Sequence, residues 1–273
     1  GQRTGIDLSE EAIARVGTVR DLLREVAEAA EAGETFDASL LDAPETYLSD
    51  AQKDWLQPVT GGQYALASAL HRANRWMMRA LYRLHVEGTE RLPPGQMLIA
   101  PTHGSLLDPF AIAAALERDR LATTFWIGDV EMAFGNPLTR TGSRVAQAVP
   151  IDTEKGFLSG LALAAAVLKR GHSLIWFPEG RRAREDGVQS LMPGIGILLE
   201  RFPVPVVPVA IHGAHQAYPP GRILPRPGRI SVVFGEPLDP AALKGAAKGE
   251  AAASAITAAL QERLIELYDR SRP

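Results

Sequence analysis

His103 and Asp108 stand five residues apart in Thr102-His103-Gly104-Ser105-Leu106-Leu107-Asp108, an imidazole and a carboxylate at a spacing that one tight loop can close. A carboxylate bonded to one ring nitrogen fixes a histidine's tautomer and orientation and stabilises its charged form, which leaves the other nitrogen as a general base. The same residues have a plainer reading. Asp108-Pro109 is a helix start, with Asp as cap and Pro at the first helical position, and His103 is then only a polar loop residue. A second cluster, Phe177-Pro178-Glu179-Gly180-Arg181-Arg182, sets a carboxylate and two guanidinium groups beside a turn that glycine permits. Arginine suits phosphate, since its planar fork donates paired hydrogen bonds; a solvated charged loop is the competing reading. His212 and His215 lack carboxylate or thiolate company and read as structural, so no metal is expected.

The elements that must position these residues follow from the pattern of apolar positions. Strand-like runs lie at 97–100, 123–127, 148–151, 173–177, 204–211 and 229–234, with helix-like stretches at 109–118, 157–170, 194–202 and 250–269. Strands alternating with helices predict an α/β layered domain with a mixed, largely parallel sheet flanked by helices. Both clusters then fall just after strands, where such folds build their sites. Ahead of the sheet, residues 63–85 predict a long helix. Leu66, Leu70, Ala73, Met77, Leu81 and Leu84 form an apolar stripe, and Arg72, Arg75, Arg79 and Arg83 form a basic row beside it. That helix either packs on its own domain or lies on an anionic membrane surface. Residues 34–61 carry Pro44, Pro58 and Gly61 with little periodicity and read as a linker; residues 1–33 read as a helical segment, and 62–273 as the main domain.

The composition excludes several classes. With 273 residues, 46% hydrophobic and 22% charged, a sizeable core is available. The absence of cysteine removes disulfides, zinc–thiolate sites and cysteine nucleophiles, and fits a reducing compartment. No Gly-x-Ser-x-Gly elbow supplies a serine nucleophile. No charge-free run of 18 apolar residues predicts a spanning helix, and Gly1–Glu11 lacks the apolar core of a secretory signal. The expected location is therefore cytoplasmic, with peripheral attachment to the inner face of the membrane through helix 63–85. Residues 1–60 hold 5 Lys/Arg against 13 Asp/Glu, while the remainder holds 24 against 19. An acidic front on a mildly basic body suggests two units with different partners. Outside residues 72–83 the basic residues do not cluster, so nucleic acid is not an expected partner.

Together the two clusters resemble the glycerolipid acyltransferase family, whose members acylate glycerol phosphate, lysophosphatidate and related lysolipids. The family's His-x-x-x-x-Asp stands as His103 to Asp108, with Thr102 where Asn is usual. Its Phe-Pro-Glu-Gly motif stands as Phe177 to Gly180, with Arg181 in a small residue's place and Arg182 at the arginine position. Val207-Pro208-Val209 and Val86-Glu87-Gly88-Thr89-Glu90-Arg91-Leu92-Pro93 extend the likeness over roughly residues 80–235. The resemblance implies direct acyl transfer from a thioester, either acyl-CoA or an acyl-phosphopantetheine carrier, to a lipid hydroxyl. His103 would act as base, Asp108 would orient it, and Glu179, Gly180 and Arg182 would bind the acceptor; no cofactor stays bound. The family's second motif usually supplies an arginine where Thr153 stands, and a later lysine is Met192 here. Ser105, Arg181, Lys155 and Arg144 are the further candidates for acceptor binding. A thioester hydrolase and a non-catalytic acyl-chain or partner-binding module are the alternatives. Arg3 to Leu22 resembles the closing third of an acyl carrier protein without its phosphopantetheine serine, which suggests a carrier fused ahead of the main domain in a longer chain.

Overall fold

The computed structural model describes residues 39–129, 137–151, 156–183 and 185–272. The helical segment expected over residues 1–33 lies outside them, as do Thr153 and Lys155. Strand β1 spans His85–Glu87, β2 Leu98–Pro101, β3 Thr124–Asp129, β4 Ala148–Ile151, β5 Ser173–Ile175, β6 Val206–His212 and β7 Ser231–Phe234. They form one sheet in the order β1-β7-β6-β2-β5-β3-β4. Every pairing is parallel except β6 with β7, the mixed, largely parallel sheet that the alternating pattern predicts. Every residue of β2 and of β6 is buried, as continuous apolar strands covered on both faces must be.

Alternate residues of β2 serve different layers. Leu98 and Ala100 join one hydrophobic cluster and Met97 and Ile99 the other. Among the described residues eleven α-helices accompany these layers. They are α1 Ser39–Asp42, α2 Asp50–Trp55, α3 Gly61–Tyr82, α4 Asp108–Ala115, α5 Arg118–Leu121, α6 Pro137–Val145, α7 Gly156–Lys169, α8 Gly194–Arg201, α9 Ala214–Ala217 and α10 Pro240–Lys244; α11 Glu250–Arg270 closes the chain. One face of the sheet carries α3 and α4, through Met78, Tyr82, Ala111 and Ile112. The other carries α7, α8 and α11, through Leu161 to Leu168, Leu198, Leu199, Ile256, Leu260 and Leu264.

Two expectations meet a different arrangement. Residues 34–61 read as a linker, yet Leu40, Leu48, Trp55 and Leu56 are buried in the same cluster as α7. Ser49 and Gln52 form a capping box that starts α2. Helices of four to six residues are too short to print a period of 3.6, so prolines dominated the pattern. Helix α3 forms as expected, but it packs through Ala67, Met78 and Tyr82, leaving Leu66, Leu70, Trp76 and Leu81 exposed. His71 and Asn74 lie on the packed side and bond backbone carbonyls of α4 and its C-terminal end: Ala113, Leu116 and Phe110. No helix among the described residues is long and apolar enough to cross a membrane.

Candidate active site

β2 and β5 are neighbours in parallel register, Ile99 opposite Ile175, so the two motif loops leave the sheet side by side. This is the C-terminal edge of parallel strands, where the chain must turn and side chains from separate segments converge. His103 follows β2 and its ring stacks on Phe177, which follows β5, with centroids 4.1 Å apart and planes 27° apart. The backbone joins the loops too: the Ala183 N–H donates to the His103 carbonyl at 2.7 Å.

The loop is built around Asp108. Its Oδ2 accepts from His103 Nδ1 at 3.0 Å, from the Gly104 N–H at 2.8 Å and from the Ser105 N–H at 2.7 Å. The helix starts one residue earlier than the cap signal predicts: Leu107 stands at the N-cap without a side-chain cap bond, Asp108 is the first residue of α4, and its carboxylate holds the imidazole. A carboxylate accepting from Nδ1–H leaves the lone pair on Nε2. The imidazole side chain keeps 17% of its surface exposed, and among the described residues its Nε2 has no hydrogen-bond partner. Asp108 is fully buried and, among the described residues, its Oδ1 has no partner, so the ring and the two backbone N–H groups are what hold the carboxylate.

Glu179 approaches from behind. One oxygen accepts from the His103 N–H at 3.0 Å and the other from Gln189 Nε2 at 2.9 Å; Gln189 also donates to the Arg181 carbonyl. Glu179 is 2% exposed. Burial pushes its carboxyl up to about 7 even though both hydrogen bonds favour the charged form. Both oxygens are taken up inside the protein, so Glu179 braces the His103 loop, whereas the resemblance gave it to the acceptor. Gly180 turns the chain with φ +69°, and a Cβ there would lie 3.1 Å from Met192 Cγ. Met192, standing where a lysine is usual, packs over this turn.

Arg181 is exposed and Arg182 half-buried. Among the described residues neither guanidinium forms an ion pair or a side-chain hydrogen bond. Ser105 is fully buried and donates to the Tyr218 carbonyl, so its hydroxyl holds the loop and does not reach an acceptor. Arg144 donates to the carbonyls of Trp55 and Gln57, which commits it to the segment ahead of α3 and away from the His103 loop. His215 Nδ1 donates to the Gly104 carbonyl, and His212 bonds Ser271. Thr102 accepts from the Ile211 N–H, tying the loop to β6. Three contributors escaped the reading of the sequence: the Phe177 ring as a platform, Gln189 and Tyr218. Gln189 and Tyr218 lie outside both motifs and act through turns, so no spacing rule marks them.

The family model described as Acyltransferase matches residues 83–212. A 1-acyl-sn-glycerol-3-phosphate acyltransferase of Bacillus subtilis is 27% identical over 186 residues, 68% of this chain and 88% of that protein. The chloroplastic 1-acyl-sn-glycerol-3-phosphate acyltransferase LPAT1 of Arabidopsis thaliana is 24% identical over 163 residues. That match takes 58% of this chain and spans less than half, 44%, of the plant protein's length. Among solved structures, the 1-acyl-sn-glycerophosphate acyltransferase PlsC of Thermotoga maritima shares the fold, with a TM-score of 0.61 at 23% identity. That likeness covers 86% of this chain and 89% of the other.

Proposed function

We propose that this chain, whose residues 83–212 match the acyltransferase family model, is an O-acyltransferase that esterifies a lysophospholipid or related lipid acceptor from an acyl thioester. The observation that carries this reading is the His103–Asp108 pair, whose Nε2 has no partner among the described residues. His103 Nε2 removes the proton from the acceptor hydroxyl as that oxygen attacks the thioester carbonyl carbon. The tetrahedral intermediate collapses with cleavage of the C–S bond, and the thiolate leaves with the proton that the imidazolium carried. The products are the ester and the free thiol of coenzyme A or of a carrier. No acyl-enzyme forms, in keeping with the absence of cysteine. Glu179 acts as a positioning residue through the His103 N–H, and Arg182 faces the acceptor's anionic group.

The acceptor is other than plain glycerol 3-phosphate, or its phosphate is held in an altered way, because Thr153 and Met192 stand where the resemblance calls for cations. Each missing charge-assisted contact weakens a bound phosphate. The exposed Leu66, Leu70, Trp76 and Leu81 of α3, with Arg72, Arg79 and Arg83 exposed beside them, support peripheral contact with an anionic membrane.

Incubation of the purified chain with a panel of acyl-CoA or acyl-carrier thioesters and lysolipids, read by mass spectrometry, tests the reading. The expected product is an ester, lost in H103A with the melting temperature unchanged. Free acid in its place would make the chain a thioester hydrolase. Transfer undiminished in H103A would refute the mechanism, and selective use of lysophosphatidate would refute the acceptor assignment.

A further inference from the structure

Beyond Tyr218 the connection from β6 to β7 has no part in the site described above, yet it is strongly braced. The Arg226 N–H donates to the Ala217 carbonyl at 2.8 Å, the Arg222 N–H to the Pro219 carbonyl and Arg222 Nε to the Leu224 carbonyl. Tyr218 Oη donates to the Ile223 carbonyl. Prolines 219, 220, 225 and 227 stiffen the segment further. At its tip this fixed loop holds Ile223 88% exposed and Leu224 72% exposed. Two large aliphatic side chains held together in water mark a surface that something covers.

The surroundings say what covers it. Residues 213–235 contain Arg222, Arg226 and Arg229 and no acidic residue. The returning limb lies against the end of α3: the Gly228 N–H donates to the Leu81 carbonyl and the Ile230 N–H to that of Tyr82. Exposed Leu81, Arg79 and Arg83 therefore adjoin it. The outgoing limb touches the catalytic loop, where Ser105 Oγ donates to the Tyr218 carbonyl at 2.8 Å. An acidic soluble partner would answer the arginines and leave the aliphatic pair in water. An anionic bilayer answers both.

We propose that the 219–227 loop is a membrane anchor. Ile223 and Leu224 enter the interface of an anionic phospholipid bilayer, and Arg226 and Arg229 sit among its headgroups. The Ser105–Tyr218 contact then fixes the height of His103 above the surface from which the acceptor is drawn. The assignment rests on the reading that the acceptor is a membrane lipid, and it adds an element independent of α3.

Co-sedimentation of the full chain with vesicles tests it, comparing equal parts phosphatidylglycerol and phosphatidylcholine with phosphatidylcholine alone. The parent chain favours the anionic vesicles. The double variant I223S/L224S lowers partition by about tenfold or more, and R226Q/R229Q by about fivefold per arginine, toward the level on neutral vesicles. Both variants keep the parent's melting temperature and its transfer to a short-chain lysolipid dispersed below its micelle concentration. Unchanged sedimentation of I223S/L224S overturns the anchor. So does loss of binding to an acidic acyl carrier protein with vesicle binding intact. If the parent chain transfers no acyl group to any acceptor, the functional reading fails, while the vesicle comparison still decides the loop.

Discussion

Asp108 and Glu179 both hold the His103 loop through its backbone, in environments that differ. Asp108 Oδ2 gathers three donors, and its substitution by asparagine tests the pairing. In D108N a neutral amide replaces the carboxylate that stabilises the imidazolium, so the variant loses roughly a thousandfold or more in kcat. Lost backbone contacts cost it about 1–2 kcal/mol of stability as well. Urea unfolding and steady-state kinetics separate the two effects. Glu179 titrates near pH 7 because burial outweighs its hydrogen bonds. Its folded form holds a proton that the unfolded chain has released above about 4.5. The stability is therefore complete below about 4.5 and falls as pH rises to about 7, by about 3 kcal/mol. The histidines push the other way, since burial lowers His71, His172 and His212, so the parent's overall profile is a sum. E179Q removes one contribution: relative to the parent it gains stability as pH rises from about 4.5 to about 7. Parallel pH profiles for parent and E179Q would show that Glu179 does not titrate there. That His103 and Asp108 can meet was legible from spacing because both lie within one loop; their catalytic role is what the resemblance implies. The brace was not legible, because Gln189 meets Glu179 only after the chain has turned back.

At the scale of elements, the strands were readable because continuous apolar runs mark strands buried on both faces. β1 escaped because three residues with one half-buried side chain, Val86, carry no pattern. Helix α3 shows where periodicity stops being informative. Its apolar stripe was visible, but a stripe does not say what it faces. The packed side uses Ala67, Met78 and Tyr82 with two polar residues, His71 and Asn74, whose hydrogen bonds to α4 and its C-terminal end take the place of apolar contact. The consequence is a contrast between neighbouring positions on one helix. L66S/L70S shifts the unfolding free energy by no more than about 0.5 kcal/mol per site, as exposed positions do. M78A, which empties a fully buried site, costs about 2–5 kcal/mol. Denaturant midpoints of the two variants decide it, and a large loss in L66S/L70S would mean that the stripe is packed after all. The same logic applies to the segment read as a linker: L56A, at another fully buried position, costs as much as a core truncation in the sheet itself.

The whole molecule is organised by the sheet, which brings loops more than seventy residues apart in sequence onto adjacent strand ends and also separates charge. The acidic front seen in the sequence maps in part to residues 39–56, which pack with α7. There Asp42 pairs with Arg201 and Glu45 with Arg170, and Asp50 meets Lys53. Helix α3 lies on the opposite face. Exposed Arg79, Arg83, Arg226 and Arg229 thus gather where the end of α3 meets the 219–227 loop, although the chain's net charge is −3. A local basic surface attracts an anionic bilayer over about a Debye length, near 10 Å at 0.1 M salt and near 3 Å at 1 M. Transfer to an acceptor embedded in anionic vesicles should therefore fall by about tenfold across that range. Transfer to the same headgroup on a short chain, dispersed singly in water, keeps its rate, because no surface has to be found. The control matters because salt also screens Arg182 from an anionic acceptor. A similar decline with both acceptors would place the salt sensitivity in the catalytic site, and a decline confined to vesicles places it in the basic face that meets the membrane.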